Sequence, residues 1–268
     1  MPELPEVATF RKHFENHAMG QKIASVQLKD SRITRGLQAG ELERELSGRK
    51  FSSTRQHGKY LFAETGGGKW LVMHFGMTGY LQYFEKPEED PKYDRMLIRF
   101  ERRGFLSYVN QRMLGWIGLT ANPDELIEQK GLGLSALDPR LDYAEFQRIF
   151  SRLKGEIKPA LMNQRLIAGI GNLYADEILF QAGIHPKMKA GGFSEISEKE
   201  LKSIFVCIGE VLRTAIDKNA DFGRLPQEYL IPNRRKGAKC PVCENKLQTA
   251  KVGGRTSYFC PKCQKARR

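Results

Sequence analysis

Trp70-Leu71-Val72-Met73-His74-Phe75-Gly76-Met77-Thr78-Gly79-Tyr80-Leu81-Gln82-Tyr83-Phe84 is two short aromatic and aliphatic runs separated by a turn with two glycines. Runs of that length, rich in aromatic and β-branched residues and bounded by glycine, read as strands rather than helices. Similar runs lie outward at residues 23–28, 60–63, 96–100, 105–109 and 116–119, with Gly66-Gly67-Gly68 and Arg102-Arg103-Gly104 among the turns. Many short strands at this spacing imply a sandwich or barrel. Ahead of them Val7, Phe10, Phe14 and Ala18 recur at helical period, and Gly20 ends that helix. Beyond them Pro123-Asp124 opens a helical region, in which Tyr143, Phe146, Ile149, Phe150 and Leu153 form one stripe. Lys158-Pro159 starts another helix, with proline where the first turn tolerates it. The turn Ala168-Gly169-Ile170-Gly171 then leads into a helix opened by Asn172, a hairpin type used for nucleic-acid binding. Pro186 and Gly191-Gly192 break the pattern, and Ser197 with Glu200 forms a capping box on a long last helix.

Cys240-Pro241-Val242-Cys243 and Cys260-Pro261-Lys262-Cys263 are two Cys-x-x-Cys knuckles with 16 residues between them. That spacing suits one structural Zn2+ held by four thiolates, each knuckle supplying two ligands from a tight turn. With all four positions filled by protein, such a site has no place for water or substrate. Disulfides and a redox dithiol are the competing readings, disfavoured by an intracellular setting and by the absence of a thioredoxin-like context. Cys207 reads as an ordinary buried thiol.

Lys and Arg number 44 against 31 Asp and Glu, a formal charge of +13. A surplus of this size attracts polyanions, and nucleic acid is the first candidate; acidic lipid or no partner are the plainer ones. The excess is concentrated from Arg234 to Arg268, where Glu244 is the only acid. No apolar run approaches the ~18 residues of a membrane helix, and the start lacks the basic-then-apolar pattern of a secretory signal. The expectation is a soluble, intracellular protein of the cytoplasm or nucleoid, with no membrane partner.

Met1-Pro2 is a start that cells commonly process, leaving proline first. Its secondary amine, with a pKa near ~8, is a better nucleophile at neutral pH than a lysine near ~10.4. Glu3 is placed to act as acid and then base, and Glu6 is close enough in sequence to tune the site. Composition alone favours a plainer reading of Pro2-Glu3-Leu4-Pro5-Glu6 as the lead-in to a helix.

Together these features resemble the formamidopyrimidine-DNA glycosylase and endonuclease VIII family. Pro2-Glu3-Leu4-Pro5-Glu6-Val7 is similar to the family's opening. Gly58-Lys59-Tyr60-Leu61, His74-Phe75-Gly76-Met77-Thr78-Gly79 and Ile170-Gly171-Asn172-Leu173-Tyr174-Ala175 follow in family order, and the four cysteines with Arg255 close the series. The resemblance implies an α+β multidomain chain. Residues 1–120 would form the N-terminal helix and antiparallel two-sheet β-sandwich, 121–232 a helix–two-turn–helix domain, and 233–268 a β-hairpin zinc finger. Damaged double-stranded DNA would lie between the halves with the target nucleotide flipped out.

By the same resemblance Pro2 is the nucleophile, Glu3 the acid/base, and Lys59 a catalytic neighbour of the sugar. Lys59, His74, Asn172 and Arg255 would hold phosphates; Met77, Arg112 and Leu114 would fill the vacated stack; Glu177 would support the site. On residue type alone, His74 reads equally as a buried histidine and Met77 as core. The implied activity is excision of oxidised purines, of the formamidopyrimidine and 8-oxoguanine type, followed by β,δ-elimination at the abasic site. The implied enzyme acts as a monomer, with zinc its sole cofactor. Leu4 favours this branch. Three departures temper it: Leu114 stands where the formamidopyrimidine group usually has phenylalanine, Ala8 where an acid is frequent, and residues 219–239 look short for a lid over 8-oxoguanine. An oxidised-pyrimidine or hydantoin glycosylase is the nearest alternative. From other classes come a DNA-binding zinc-finger protein without catalysis and an RNA-associated zinc ribbon.

Overall fold

The computed structural model describes residues 1–190 and 196–265; the expected break at Gly191-Gly192 lies outside the described residues. The chain forms two compact units, Met1–Pro2 with Glu6–Gly131, and Glu3–Pro5 with Leu132–Arg268.

Helix α1 (Leu4–Ala18) opens the chain. The first unit continues with β1 (Ile23–Leu28), α2 (Glu41–Leu46), β2 (Phe51–His57), β3 (Tyr60–Thr65), β4 (Trp70–His74), β5 (Tyr80–Phe84), β6 (Asp94–Phe100), β7 (Phe105–Val109), β8 (Trp116–Thr120) and α3 (Pro123–Gln129). The strands make two antiparallel four-stranded sheets, ordered β1-β6-β7-β5 and β2-β3-β4-β8. Alternation decides which side chains turn inward. Met96, Ile98 and Phe100 of β6 are buried while Arg95, Leu97 and Arg99 are not. Those three share one core with Leu61, Ala63, Leu71, Met73, Tyr108 and Ile117, and with Val7, Phe14 and Ala18 of α1. Burying each of the larger of these contributes roughly 1.5–3 kcal/mol.

The sequence reading missed β2 and attached α3 to the wrong region. β2 carries Ser52-Ser53-Thr54-Arg55-Gln56 and is a strand because it pairs with β3, not because of its composition. α3, which the sequence attaches to the helical region, packs Leu126 and Ile127 against Phe62, Val72 and Trp116, on the outer side of the second sheet. Its start is as expected: Asn122 caps it, accepting the Asp124 N–H at 2.9 Å, and Pro123 follows.

The second unit contains β9 (Leu134–Ser135), α4 (Tyr143–Phe150), α5 (Ile157–Leu161), β10 (Ile167–Ala168), α6 (Asn172–Gln181), α7 (Glu198–Asp217), β11 (Gln248–Val252) and β12 (Arg255–Phe259). α4 ends at Phe150, short of the expected Leu153. α6 is central, with every residue from Tyr174 to Phe180 buried. Leu201, Ile204, Ile208, Val211 and Leu212 of α7 belong to the same core as Phe146 of α4 and Ile178 of α6. The Ser197–Glu200 capping box is formed in both directions. β11 and β12 pair as an antiparallel hairpin beside a small cluster of Phe180, Leu230, Cys240, Leu247 and Cys260. Among the described residues no helix is long and apolar enough to cross a membrane.

Candidate active site and nucleic-acid interface

Glu3 is 1% exposed, unusual for a carboxylate three residues from a chain start. Its side chain lies on the N-terminus of α6. Oε2 accepts the N–H groups of Gly171 (2.6 Å) and Tyr174 (3.3 Å), and Oε1 accepts that of Leu173 (2.9 Å). These are donors that a helix start leaves without partners, at the end where a negative charge is favoured. The Leu4 N–H adds a bond to Gly169 O at 3.1 Å. Gly171 permits this approach, since a Cβ there would sit 2.4 Å from Glu3 Cδ. Glu3 is therefore held in a defined place, one peptide bond from half-buried Pro2; Met1 ahead of it is exposed.

In the first unit, Lys59 sits half-buried in the two-residue β2–β3 turn, where Gly58 has φ 52°. His74 ends β4, opposite Tyr60 of β3 and Trp116 of β8. Its ring lies 4.9 Å from Tyr60 and 6.2 Å from Trp116, and its Nδ1 is buried with no hydrogen-bond partner among the described residues. Burial first, then the charges of Lys59, Arg35 and Lys130, lower its pKa to about 4. The imidazole is therefore neutral at pH 7 and offers a neutral N–H.

The segment after β4 and the one before β8 are locked together. A Cβ on Gly76 would lie 2.3 Å from the Leu114–Gly115 backbone, the Arg112 N–H donates to Thr78 Oγ1 at 3.1 Å, and Tyr108 Oη donates to His74 O at 2.8 Å. Met113, at φ 55°, adopts the left-handed conformation that non-glycine residues avoid. The lock leaves Met77 39% and Leu114 50% exposed, with Arg112 exposed beside them. Two large apolar side chains held out on rigid turns are poor core residues and suitable wedges.

Asn172 begins α6 and Arg255 begins β12, just past Gly253-Gly254 at the hairpin tip. A polar cluster joins them. Buried Lys158 of α5 donates from Nζ to Asn172 Oδ1 and Ser257 Oγ, both at 2.7 Å, and pairs with Asp176 Oδ1 at 2.7 Å. Arg234 pairs with the other Asp176 oxygen at 2.7 Å and lies 4.6 Å from the Tyr258 ring centroid. That oxygen also accepts the Tyr258 N–H, while Asn172 Nδ2 donates to Thr256 O at 3.3 Å. Burial lowers the Lys158 pKa against the pull of Asp176. The hairpin tip rests on α5, where a Cβ on Gly253 would be 2.7 Å from Pro159. Arg255 itself stays exposed.

Glu177 points elsewhere. Its carboxylate accepts the N–H groups of Leu230 (3.1 Å) and Ile231 (2.7 Å) and the Gln181 amide (2.8 Å), so it braces the segment before the zinc knuckles. Burial raises its pKa to about 7. Glu6 is half-buried on α1.

The four knuckle cysteines place their sulfurs within 4.8 Å of one another, with Sγ–Sγ separations of 3.5 Å (243–260), 3.5 Å (243–263) and 3.9 Å (240–263). Tetrahedral zinc with Zn–S bonds near ~2.3 Å requires an edge of about 3.8 Å. These distances fit that ion and are far too long for disulfides, which need about 2.05 Å. The site holds one structural Zn2+.

Sequence reasoning missed Lys158, Asp176 and Arg234. One signal was present: Asp176-Glu177 is an acidic pair inside an otherwise apolar helix, and buried acids require partners.

Family profiles match in three consecutive pieces. Residues 1–117 match the formamidopyrimidine-DNA glycosylase N-terminal domain, 132–225 the formamidopyrimidine-DNA glycosylase H2TH domain, and 237–266 the zinc finger found in FPG and IleRS. The formamidopyrimidine-DNA glycosylase of Methylococcus capsulatus is 33% identical over 99% of this chain and 100% of its own. That of Pelotomaculum thermopropionicum is 31% identical over the whole of both chains. Among solved structures, MutM in complex with carbocyclic 8-oxo-G containing DNA superposes with a TM-score of 0.88 at 31% identity, covering 99% of this chain and 100% of that one. Lactococcus lactis Fpg with Fapy-dG containing DNA gives 0.87 at 30% identity, covering 98% and 100%.

Proposed function

The chain belongs to the formamidopyrimidine-DNA glycosylase family, and from that premise we propose that it excises oxidised purines from double-stranded DNA and cleaves the resulting abasic site, with Pro2 as nucleophile. The observation that carries this reading is the anchoring of Glu3 by three backbone donors of the α6 start. A helix lead-in with no further role does not need a buried carboxylate. An amine that must meet one carbon atom does need its neighbour fixed, since misplacement by about 1 Å can cost 10²-fold in rate.

The chemistry requires removal of Met1, which leaves the Pro2 nitrogen as a secondary amine. Its lone pair forms a bond to C1′ as the glycosidic bond breaks; the base departs with the electron pair of the broken bond and takes up the proton that the Pro2 nitrogen sheds. Glu3 in its protonated form delivers a proton to O4′ as the ring opens, giving an iminium at C1′. The iminium acidifies C2′–H; the carboxylate removes that proton, and the 3′-phosphate leaves. A second elimination expels the 5′-phosphate, and water releases Pro2. Lys59 and His74 in one unit and Asn172 and Arg255 in the other are proposed to hold phosphates. Met77, Arg112 and Leu114 are proposed to enter the emptied stack. The work is done inside the cell, at the chromosome.

The smaller Leu114 and the short run between α7 and the knuckles, which carries only two 3-10 turns, favour formamidopyrimidines over 8-oxoguanine. Borohydride reduction on abasic-site DNA tests the core claim. The adduct is expected at residue 2 by peptide mapping and should be largely lost in Pro2→Gly. An adduct on Lys59 refutes it, and a panel of single-lesion duplexes ranks the substrates.

A further inference from the structure

Trp116 is 6% exposed, and two cations cover it. The Arg35 guanidinium lies 5.4 Å and the Lys130 ammonium 4.6 Å from its ring centroid. Each is placed by backbone contacts: the Arg35 N–H donates to Ile117 O at 3.0 Å, and the Lys130 N–H closes the C-terminus of α3 on Leu126 O. Trp116 is in turn the strand neighbour of His74, with the rings 6.2 Å apart. Arg35, Lys59 and Lys130 all act electrostatically on the His74 imidazole, and Arg35 also lowers the Lys130 pKa after burial does. Four basic side chains thus gather at one end of the second sheet. Among the described residues, no carboxylate forms an ion pair with Arg35 or Lys130, although many of the chain's other Lys and Arg residues have one.

Cation–π contact accounts for one cation over an indole. It does not account for two that repel each other beside a third, with no carboxylate paired to Arg35 or Lys130 among the described residues. An anion delivered from outside removes the repulsion and leaves the indole contact intact. On the reading that this protein binds DNA, we propose that Arg35 and Lys130 are a further backbone-phosphate site, adjoining Lys59 and His74 on the first unit. The pair supplies charge without base contact, so it tightens binding to any sequence. Trp116 acts as the rigid plate that sets the two cations at a fixed spacing.

Counterion release makes this measurable, because each phosphate contact contributes about 0.9 to the slope of log K against log salt on B-DNA. Binding of the full-length zinc protein to a duplex with a central tetrahydrofuran, and to the same duplex undamaged, is measured from low to moderate salt. Arg35→Gln with Lys130→Gln should lower the slope by about 0.9 on both duplexes, and each single change by a part of that. Arg35→Lys with Lys130→Arg, which keeps the charge while altering the indole contact, should keep the wild-type slope. An unchanged slope in the glutamine double variant overturns the phosphate site and leaves the two cations as a cover for Trp116, with thermal melting as the only property affected. Failure of the wild-type protein to prefer the tetrahydrofuran duplex overturns the proposed function instead. The slope comparison on plain duplex then still decides the Arg35–Lys130 pair.

Discussion

Replacing Lys158 by methionine keeps the side-chain volume and removes one charge from a fully buried pair, because Lys158 and Asp176 both have 0% side-chain exposure. The loss is threefold: the ion pair to Asp176 and the bonds to Asn172 Oδ1 and Ser257 Oγ. Removing one partner of a buried ion pair costs about 3–5 kcal/mol, because the other charge stays out of water uncompensated. Here Arg234, 18% exposed, still pairs with Asp176, which places the expectation at the lower end, about 3 kcal/mol. For a unit of this size that corresponds to a fall in Tm of roughly 6–12 °C. Adding Asp176→Asn removes the stranded charge, so the double variant should recover at least about 1 kcal/mol relative to the sum of the single losses. Thermal melts at saturating zinc, with hydrogen exchange on β12, read both quantities. A loss below about 1 kcal/mol for Lys158→Met, or strict additivity in the cycle, would refute the claim that this buried charge ties α5, α6 and the hairpin together.

Gly171→Ala should lower lyase activity at least tenfold with little loss of zinc, because the added Cβ falls 2.4 Å from the Glu3 carboxyl carbon and displaces it; activity close to wild type in single-turnover assays counts against the anchoring role. Met77→Ala and Leu114→Ala remove exposed side chains, so stability should change by no more than about 0.5 kcal/mol. Excision from duplex DNA should nevertheless fall, while cleavage of an abasic site in single-stranded DNA is spared. Because burial raises Glu177 to about 7, the folded chain retains a proton there that the unfolded chain gives up near 4.5. The native state then binds more protons between these values, so stability falls as pH rises from about 4.5 to about 7, by at most roughly 3 kcal/mol. Denaturation at a series of pH values should show this slope flattened in Glu177→Gln.

Much of the fold is legible because periodicity is a local property. The helical stripe of α1 and the short apolar runs of β4, β5 and β7 identify their elements without reference to anything distant. The knuckle spacing likewise specifies a four-sulfur site, since two ligands on one tight turn need no outside help. Family motifs pointed to Pro2, Glu3, Lys59 and Asn172 by order along the chain. None of this reveals partners. β2 has no apolar alternation of its own and exists because β3 offers a ladder; α3 belongs with the sheet because Phe62, Val72 and Trp116 present an apolar surface to cover.

Charge shows the same division. The sequence alone determines that the chain is strongly basic, that its last segment is the most so, and that an acidic pair sits inside an apolar helix. Only the tertiary structure decides that Asp176 is neutralised by Lys158 and Arg234, that Glu177 braces Leu230 and Ile231, and that Arg35 and Lys130 meet over one indole. The physical reason is that secondary structure follows from spacing between near neighbours, whereas the cost of a buried or crowded charge depends on every group that folding brings within a few ångströms, whatever its position in the chain.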